Sequence, residues 1–241
     1  MHLLMEQIHT AWKSEGGSVA SLLLLDVSGA FDNVNYQRLL WNIRELGFHP
    51  NLAGWMASFL AGRTGRIKLT EGITPSFNIS TGIPQGSPLS PILWLLYNYK
   101  ILRVAEDKAL VTGYVDDTCV LVTGRNTTET CQKLGEVHKQ LEGWASRHAA
   151  KFAPEKYGLM HFFQQPRKTK DEDKNRPLIL QLEDGQIQEI KPSESERYLG
   201  VWLDPCLRGQ SHLEQAPMKA RQHKEALRSI AQQAWGVSSR A

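Results

Sequence analysis

Two adjacent carboxylates, Asp116 and Asp117, stand between the apolar run Ala109-Leu110-Val111 and the β-rich run Cys119-Val120-Leu121-Val122. No other feature of the 241-residue chain limits its fold as much. Along an extended strand neighbouring side chains face opposite ways, so an adjacent pair converges on one point only where the backbone turns between or just after them. A tight strand-turn-strand at Tyr114-Val115-Asp116-Asp117 does this. Holding two carboxylates between hydrophobic strands is costly without a counter-charge, and a divalent cation is the counter-charge that also does chemistry. The alternative is a plain polar turn tip.

Two further segments weigh against the plain turn. Leu22-Leu23-Leu24-Leu25 reads as a fully buried strand that ends on Asp26, although so short a run does not by itself exclude a helix. An acid at a strand end enters a cleft while its backbone stays in the sheet. The second segment, Thr81-Gly82-Ile83-Pro84-Gln85-Gly86-Ser87-Pro88-Leu89-Ser90-Pro91, is a rigid turn before the apolar Ile92-Leu93-Trp94-Leu95-Leu96-Tyr97. Pro91 suits a first helical turn, and Ser90 is the candidate N-cap.

Taken in order, these blocks resemble the palm region of a reverse transcriptase of the eukaryotic non-LTR retrotransposon type. The match runs from the acid-ended strand with Ala30-Phe31-Asp32, through Pro84-Gln85-Gly86, to Tyr114-Val115-Asp116-Asp117. It continues through Leu141-Glu142-Gly143-Trp144-Ala145, Lys151-Phe152-Ala153-Pro154-Glu155-Lys156 and Tyr198-Leu199-Gly200-Val201. The resemblance implies an α+β fold: a polymerase palm with an antiparallel sheet packed on helices, partial fingers and the start of a thumb. Residues 1–205 would form the fingers remnant and palm, and residues 206–241 the helical start of the thumb.

The implied activity is template-directed DNA synthesis from an RNA template, with an RNA template, a DNA primer and a dNTP as partners. Its in-line displacement at phosphorus uses two metals that stabilise the attacking and leaving oxygens. The implied cofactors are two Mg²⁺ ions, for which Mn²⁺ is the substitute, and hard oxygen ligands suit both. By similarity Asp26 and Asp116 are direct ligands and Asp117 supports them. The backbone at Val27 and Ser28 would lie near the triphosphate. Phe31 corresponds to the ring that excludes a 2′-hydroxyl, with a core aromatic as the alternative. Gln85 and Gly86 correspond to residues that shape the template and nucleotide pocket, with an ordinary turn as the alternative. Lys156 is the candidate to assist the pyrophosphate leaving group; Lys151 competes with it, and a solvated lysine is the alternative. Leu199 and Gly200 resemble the hairpin that grips the primer, against a plain hairpin at a sheet edge. Asp32 and Asn33 read as structural residues at a helix start, and Asn33 or Asn35 can cap a helix through Leu39, Leu40 and Ile43.

Composition agrees without deciding. With 41% hydrophobic residues the chain can bury one substantial core, and a net charge of +3 permits nucleic-acid binding without requiring it. Arg63, Arg66 and Lys68 form one basic group, and Lys219, Arg221, Lys224 and Arg228 another; either contacts phosphates or is simply a solvated face. Cys119, Cys131 and Cys206 read as free thiols, and the histidines lack ligand spacing. No apolar stretch reaches membrane-spanning length, residues 92–99 reading as a short buried helix, so no membrane partner is expected.

Elsewhere residues 3–11 read as a helix followed by a Gly16-Gly17 break, and residues 35–60 as two helices parted by Gly47-Phe48-His49-Pro50. Residues 66–70 and 77–80 suggest a β-pair. Residues 127–148 form an amphipathic helix with Leu134, Val137, Leu141 and Trp144 inward, and residues 160–163 a strand. Residues 166–176 read as a charged, mobile loop. A hairpin turns at Asp184-Gly185, and residues 213–235 are helical with Pro217 near the start.

Only 25 residues precede Asp26, so the basic fingers segment that the family places upstream is not among them. The expectation is an internal piece of a longer polyprotein, whose remainder would be a partner, or the surviving frame of a decayed element. A catalytically silent relic that at most binds nucleic acid is therefore the alternative to an active polymerase. Residence in the nucleus or cytoplasm is expected, the nucleus by family analogy alone.

Overall fold

The computed structural model describes residues 1–14, 19–182 and 185–231. In chain order α1 (His2–Lys13), β1 (Val19–Asp26), α2 (Tyr36–Glu45) and α3 (Pro50–Leu60) lead to four short strands, β2 (Thr64–Gly65), β3 (Lys68–Leu69), β4 (Gly72–Ile73) and β5 (Phe77–Asn78). Then come α4 (Ser90–Asn98), β6 (Leu110–Tyr114), β7 (Asp117–Gly124), α5 (Thr127–Arg147), β8 (Gly158–Phe162) and α6 (Asp171–Lys174). The remainder is β9 (Leu178–Gln181), β10 (Ile187–Ile190), β11 (Glu196–Tyr198), β12 (Val201–Leu203) and α7 (Gln210–Ala231).

The centre is a four-stranded antiparallel sheet in the order β6-β7-β1-β8. Its strand β1 is apolar without alternation because both faces of the sheet are covered. Leu23 and Leu25 point into a core closed by Leu134, Val137, Leu141 and Trp144 of α5. Ala20 and Leu22 point the other way, against Leu4, Ile8 and Trp12 of α1 and Tyr198 and Leu203 of the β11–β12 hairpin. The buried residues of α1 recur at one-turn spacing, as an amphipathic helix requires. A third core, formed by Leu39, Ile43, Met56, Leu60, Leu93 and Trp94, joins α2, α3 and α4 beyond the end of β1. The result is a mixed α/β fold with an antiparallel sheet packed against helices.

Local chemistry explains the element boundaries. Asn35, not Asn33, caps α2, its side chain accepting from the Arg38 N–H. Asn33 instead donates its side-chain amide to the Ser28 carbonyl at 3.1 Å. Pro91 lies in the first turn of α4 as expected, but Ser90 is already helical and its hydroxyl donates to the Pro84 carbonyl at 2.5 Å. Helix α4 is buried on one face only, since Ile92 and Leu95 are exposed.

The expected single β-pair is a bent hairpin. Thr64 and Gly65 pair with Asn78 and Phe77, while Lys68 and Leu69 pair with Ile73 and Gly72, so the register slips by one residue between the two ladders. Residues 166–176 are not a structureless loop. Thr127 donates its hydroxyl to Asp173 at 2.6 Å, and Arg176 Nε donates to the same hydroxyl at 3.2 Å. Pro217 sits inside α7 rather than at its start. The Gly16-Gly17 break, Asp184 and the end of the tail at Trp235 lie outside the described residues. Among the described residues no helix is long and apolar enough to cross a membrane, and the three cysteines are free.

Candidate active site

The site forms where β1 runs out of the sheet. Asp26, its last residue, lies opposite Asp117 in the β1–β7 ladder, so the two carboxylates stand side by side on neighbouring strands. Tyr114 pairs with Asp117, leaving Val115 and Asp116 as a two-residue hairpin turn. Val115 has φ 57°, an uncommon conformation for a β-branched residue. Trp94 of α4 holds this turn by donating its indole N–H to the Val115 carbonyl at 2.6 Å.

Beyond Asp26 the chain continues to pair with residues 151–153. Val27 bridges Phe152, the Ser28 N–H donates to the Lys151 carbonyl at 2.8 Å, and the Ala153 N–H donates to the Asp26 carbonyl at 3.0 Å. This zipper ends in a 3₁₀ turn over Pro154–Lys156, which brings the Lys156 ammonium to 2.7 Å from Asp26 Oδ2. Lys151 gives only its backbone here, so the ammonium at the acid belongs to Lys156.

The Pro84-Gln85-Gly86 loop docks on the loop after β1. The Gly82 and Ile83 N–H groups donate to the Val34 and Phe31 carbonyls at 2.9 and 2.8 Å. Gln85 Nε2 donates to Asp32 Oδ1 at 3.0 Å, giving Asp32 a place at the site rather than in a helix start. Arg63 turns inward and donates to the Tyr36 hydroxyl at 2.8 Å and to the Gly82 carbonyl, so it braces this loop instead of facing a phosphate.

A cleft of about 280 Å³ results, lined by Asp26, Val27, Phe31, Gln85, Asp116 and Lys156 together with Gly29, Ala30, Asp32 and Val115. Six of the residues anticipated from sequence are thereby gathered. The Phe31 ring is 5.9 Å from that of Trp94, so it is at once a wall of the cleft and a neighbour of the helical core. A second cleft of about 150 Å³ shares Asp26 and Lys156 and adds Asp117, Glu196, Arg197 and Tyr198. Ser28, Gly86, Leu199 and Gly200 line neither cleft. Leu199 and Gly200 are the turn between β11 and β12, both at positive φ, which is the two-residue geometry that matches strand twist. Trp94, Asp32 and Arg197 were not anticipated. An indole in the first turns after a Pro-Gly loop was the available signal for Trp94.

Burial raises the Asp117 carboxyl above its ordinary range, and the charges of Asp116 and Asp26 add to the effect. Its hydrogen bond to Asp26 raises the Lys156 ammonium. Three carboxylates therefore repel one another around a single ammonium, and a divalent cation would relieve that repulsion. Mg²⁺ needs only one or two carboxylates beside water and phosphate oxygens, and the Asp26–Asp117 pair with Asp116 on the turn can supply them. Among the described residues, however, no group of three or more His, Cys, Asp or Glu side chains is assembled to hold an ion.

The sequence pattern of the reverse transcriptase (RNA-dependent DNA polymerase) family matches residues 2–203. The RNA-directed DNA polymerase from mobile element jockey of Drosophila melanogaster is 28% identical over 78% of this chain and 20% of its own length. The probable RNA-directed DNA polymerase from transposon X-element of the same organism is 26% identical over 100% of this chain and 25% of its own length. The chain thus spans about a quarter of the length of such curated relatives. Among solved structures, apo telomerase of Candida tropicalis truncated from its C-terminal domain has the same fold, with a TM-score of 0.56 and 18% identity over 86% of this chain and 39% of that one. On this evidence the chain belongs to the reverse transcriptase family, in its non-LTR retrotransposon branch.

Proposed function

We propose that the cleft over Asp26, Phe31, Gln85 and Asp116 receives a dNTP beside a DNA primer paired to an RNA template, and that the chain in this arrangement binds these partners without turning them over. The observation that carries this reading is the state of the acids. Asp26 is engaged by Lys156 at 2.7 Å, so its carboxylate already carries a cationic partner from the chain itself. A catalytically silent, nucleic-acid-binding member of a retroelement family fits that state best.

RNA-templated DNA synthesis is the second reading, and the convergence of six anticipated residues on one cleft favours it. The chemistry that two Mg²⁺ or Mn²⁺ ions supply when bound is stabilisation of the attacking and leaving oxygens. Asp26, Asp116 and Asp117 would hold them. Phe31 would close on the sugar and reject a 2′-hydroxyl, Gln85 would hydrogen-bond the template or nucleotide, and the Lys156 ammonium would neutralise the departing pyrophosphate. The β11–β12 turn at Leu199 and Gly200 would bear on the primer, and the segment from residue 206 would begin the thumb. Nuclear residence and association with the rest of a longer polyprotein belong to the same proposal.

Primer extension on an RNA template with Mg²⁺ and dNTPs, run beside a binding assay with the labelled primer–template, separates the readings. Binding without incorporation supports the first. Incorporation that disappears in Asp116→Asn overturns it in favour of the second. Failure to bind the primer–template overturns both.

A further inference from the structure

We propose that Lys156 is a built-in counter-ion for Asp26: its ammonium stands where a divalent cation would bind that carboxylate, and it must be displaced before the cation can bind. This inference rests on reading the cleft as a cation and nucleotide site, and deepens it. The two residues are 130 positions apart in sequence, yet they meet at 2.7 Å because residues 151–153 zip along the continuation of β1 and the 3₁₀ turn then delivers the lysine. The contact is therefore built by the backbone and does not depend on a chance surface encounter.

The two side chains differ in freedom. Asp26 is 24% exposed at the end of a central strand, whereas Lys156 is 59% exposed on a flexible stem. The ammonium can swing out without moving either backbone. Lys156 also borders both clefts, so an incoming triphosphate would offer it new oxygens on leaving Asp26. A dication exerts twice the Coulomb attraction of an ammonium at equal distance, so it displaces the lysine, but only after overcoming the existing pair.

The test is Mn²⁺ binding to the full chain, followed by loss of the free-ion EPR signal. Wild type, Lys156→Met, Lys156→Gln, Lys156→Arg and Asp116→Asn are compared, with circular dichroism verifying the fold of each. Both neutral variants are expected to bind Mn²⁺ about two- to fivefold more tightly than wild type, the range of an exposed ion pair. Lys156→Arg should match wild type. A dNTP should strengthen Mn²⁺ binding by the wild type more than by Lys156→Met. Equal or weaker binding by both neutral variants, with binding reduced in Asp116→Asn, overturns the counter-ion role and leaves the cleft reading standing. No Mn²⁺ binding by any variant overturns both.

Discussion

Replacing Gly82 with Ala tests whether the Pro84-Gln85-Gly86 loop is held by backbone contact rather than by side chains. Gly82 has φ +78°, and a Cβ there would lie 2.6 Å from the Asp32 carbonyl oxygen and 3.0 Å from its carbonyl carbon. Two costs add. Left-handed backbone costs an alanine about 1–2 kcal/mol. Overlap with backbone, which cannot rotate away, costs about 1–3 kcal/mol more. Gly86 is the control, since it has φ +85° and nothing within 4 Å of its added Cβ, leaving only the first cost. In urea denaturation Gly82→Ala should therefore be about 2–5 kcal/mol less stable than wild type and Gly86→Ala about 1–2 kcal/mol. The separation corresponds to several degrees in Tm for a chain of this size. Equal midpoints for the two variants would refute the close approach between the loops as the origin of the effect.

Asp117→Asn is expected to be more stable than wild type at pH 7 by thermal melting, because the raised Asp117 carboxyl is ionised there against burial and against Asp116 and Asp26. That advantage should vanish as pH falls and the native carboxyl takes its proton. Burial pushes His138 down to about 4, so between the ordinary histidine value and 4 the unfolded chain binds a proton that the folded one refuses. Stability should be full above about pH 6.5 and fall by up to about 3 kcal/mol towards pH 4. The Glu142 carboxylate 3.4 Å away should reduce that loss, and His138→Gln should flatten the pH dependence of the urea midpoint. Trp94→Phe keeps an aromatic ring but removes the N–H donated to the Val115 carbonyl, and should lower stability by about 1 kcal/mol in the same assay.

The parts of the fold that were legible in sequence are those where one local pattern carries the whole instruction. Residues 22–25 are unbroken leucine because α5 and α1 cover opposite faces of β1. The inward face of α5 repeats at Leu134, Val137, Leu141 and Trp144, and a cap just before α2 was legible too, although the choice of Asn35 over Asn33 was not. The Asp-Asp hairpin was legible because only a turn reconciles two adjacent acids with two apolar strands.

What escaped depends on partners far away in the chain. Residues 166–176 look like a solvated loop until Thr127 supplies hydrogen-bonding partners for Asp173 and Arg176. Arg63 looks like a phosphate contact until Tyr36 and Gly82 turn it inward. Lys151 and Lys156 are indistinguishable by type, and the 3₁₀ turn between them decides which one reaches Asp26. The one-residue slip between the β2–β5 and β3–β4 ladders left no trace because the apolar residues of those strands, Leu69, Ile73 and Phe77, are exposed, so no buried face fixes their register.

The position of β1 also determines how the site would open. Most of its backbone is paired on both sides, to β7 and β8, and both faces of the sheet are covered, so its amides should exchange with solvent only through global unfolding. Asp26 inherits that protection at its backbone, while Asp116 and Lys156 sit on a hairpin turn and a 3₁₀ turn that can open locally at lower free energy. In a hydrogen-exchange experiment Leu22 to Leu25 should remain protected long after residues 115–116 and 155–156 have exchanged. The cleft then has one wall as durable as the fold itself, and adapts to whatever enters it by moving the other.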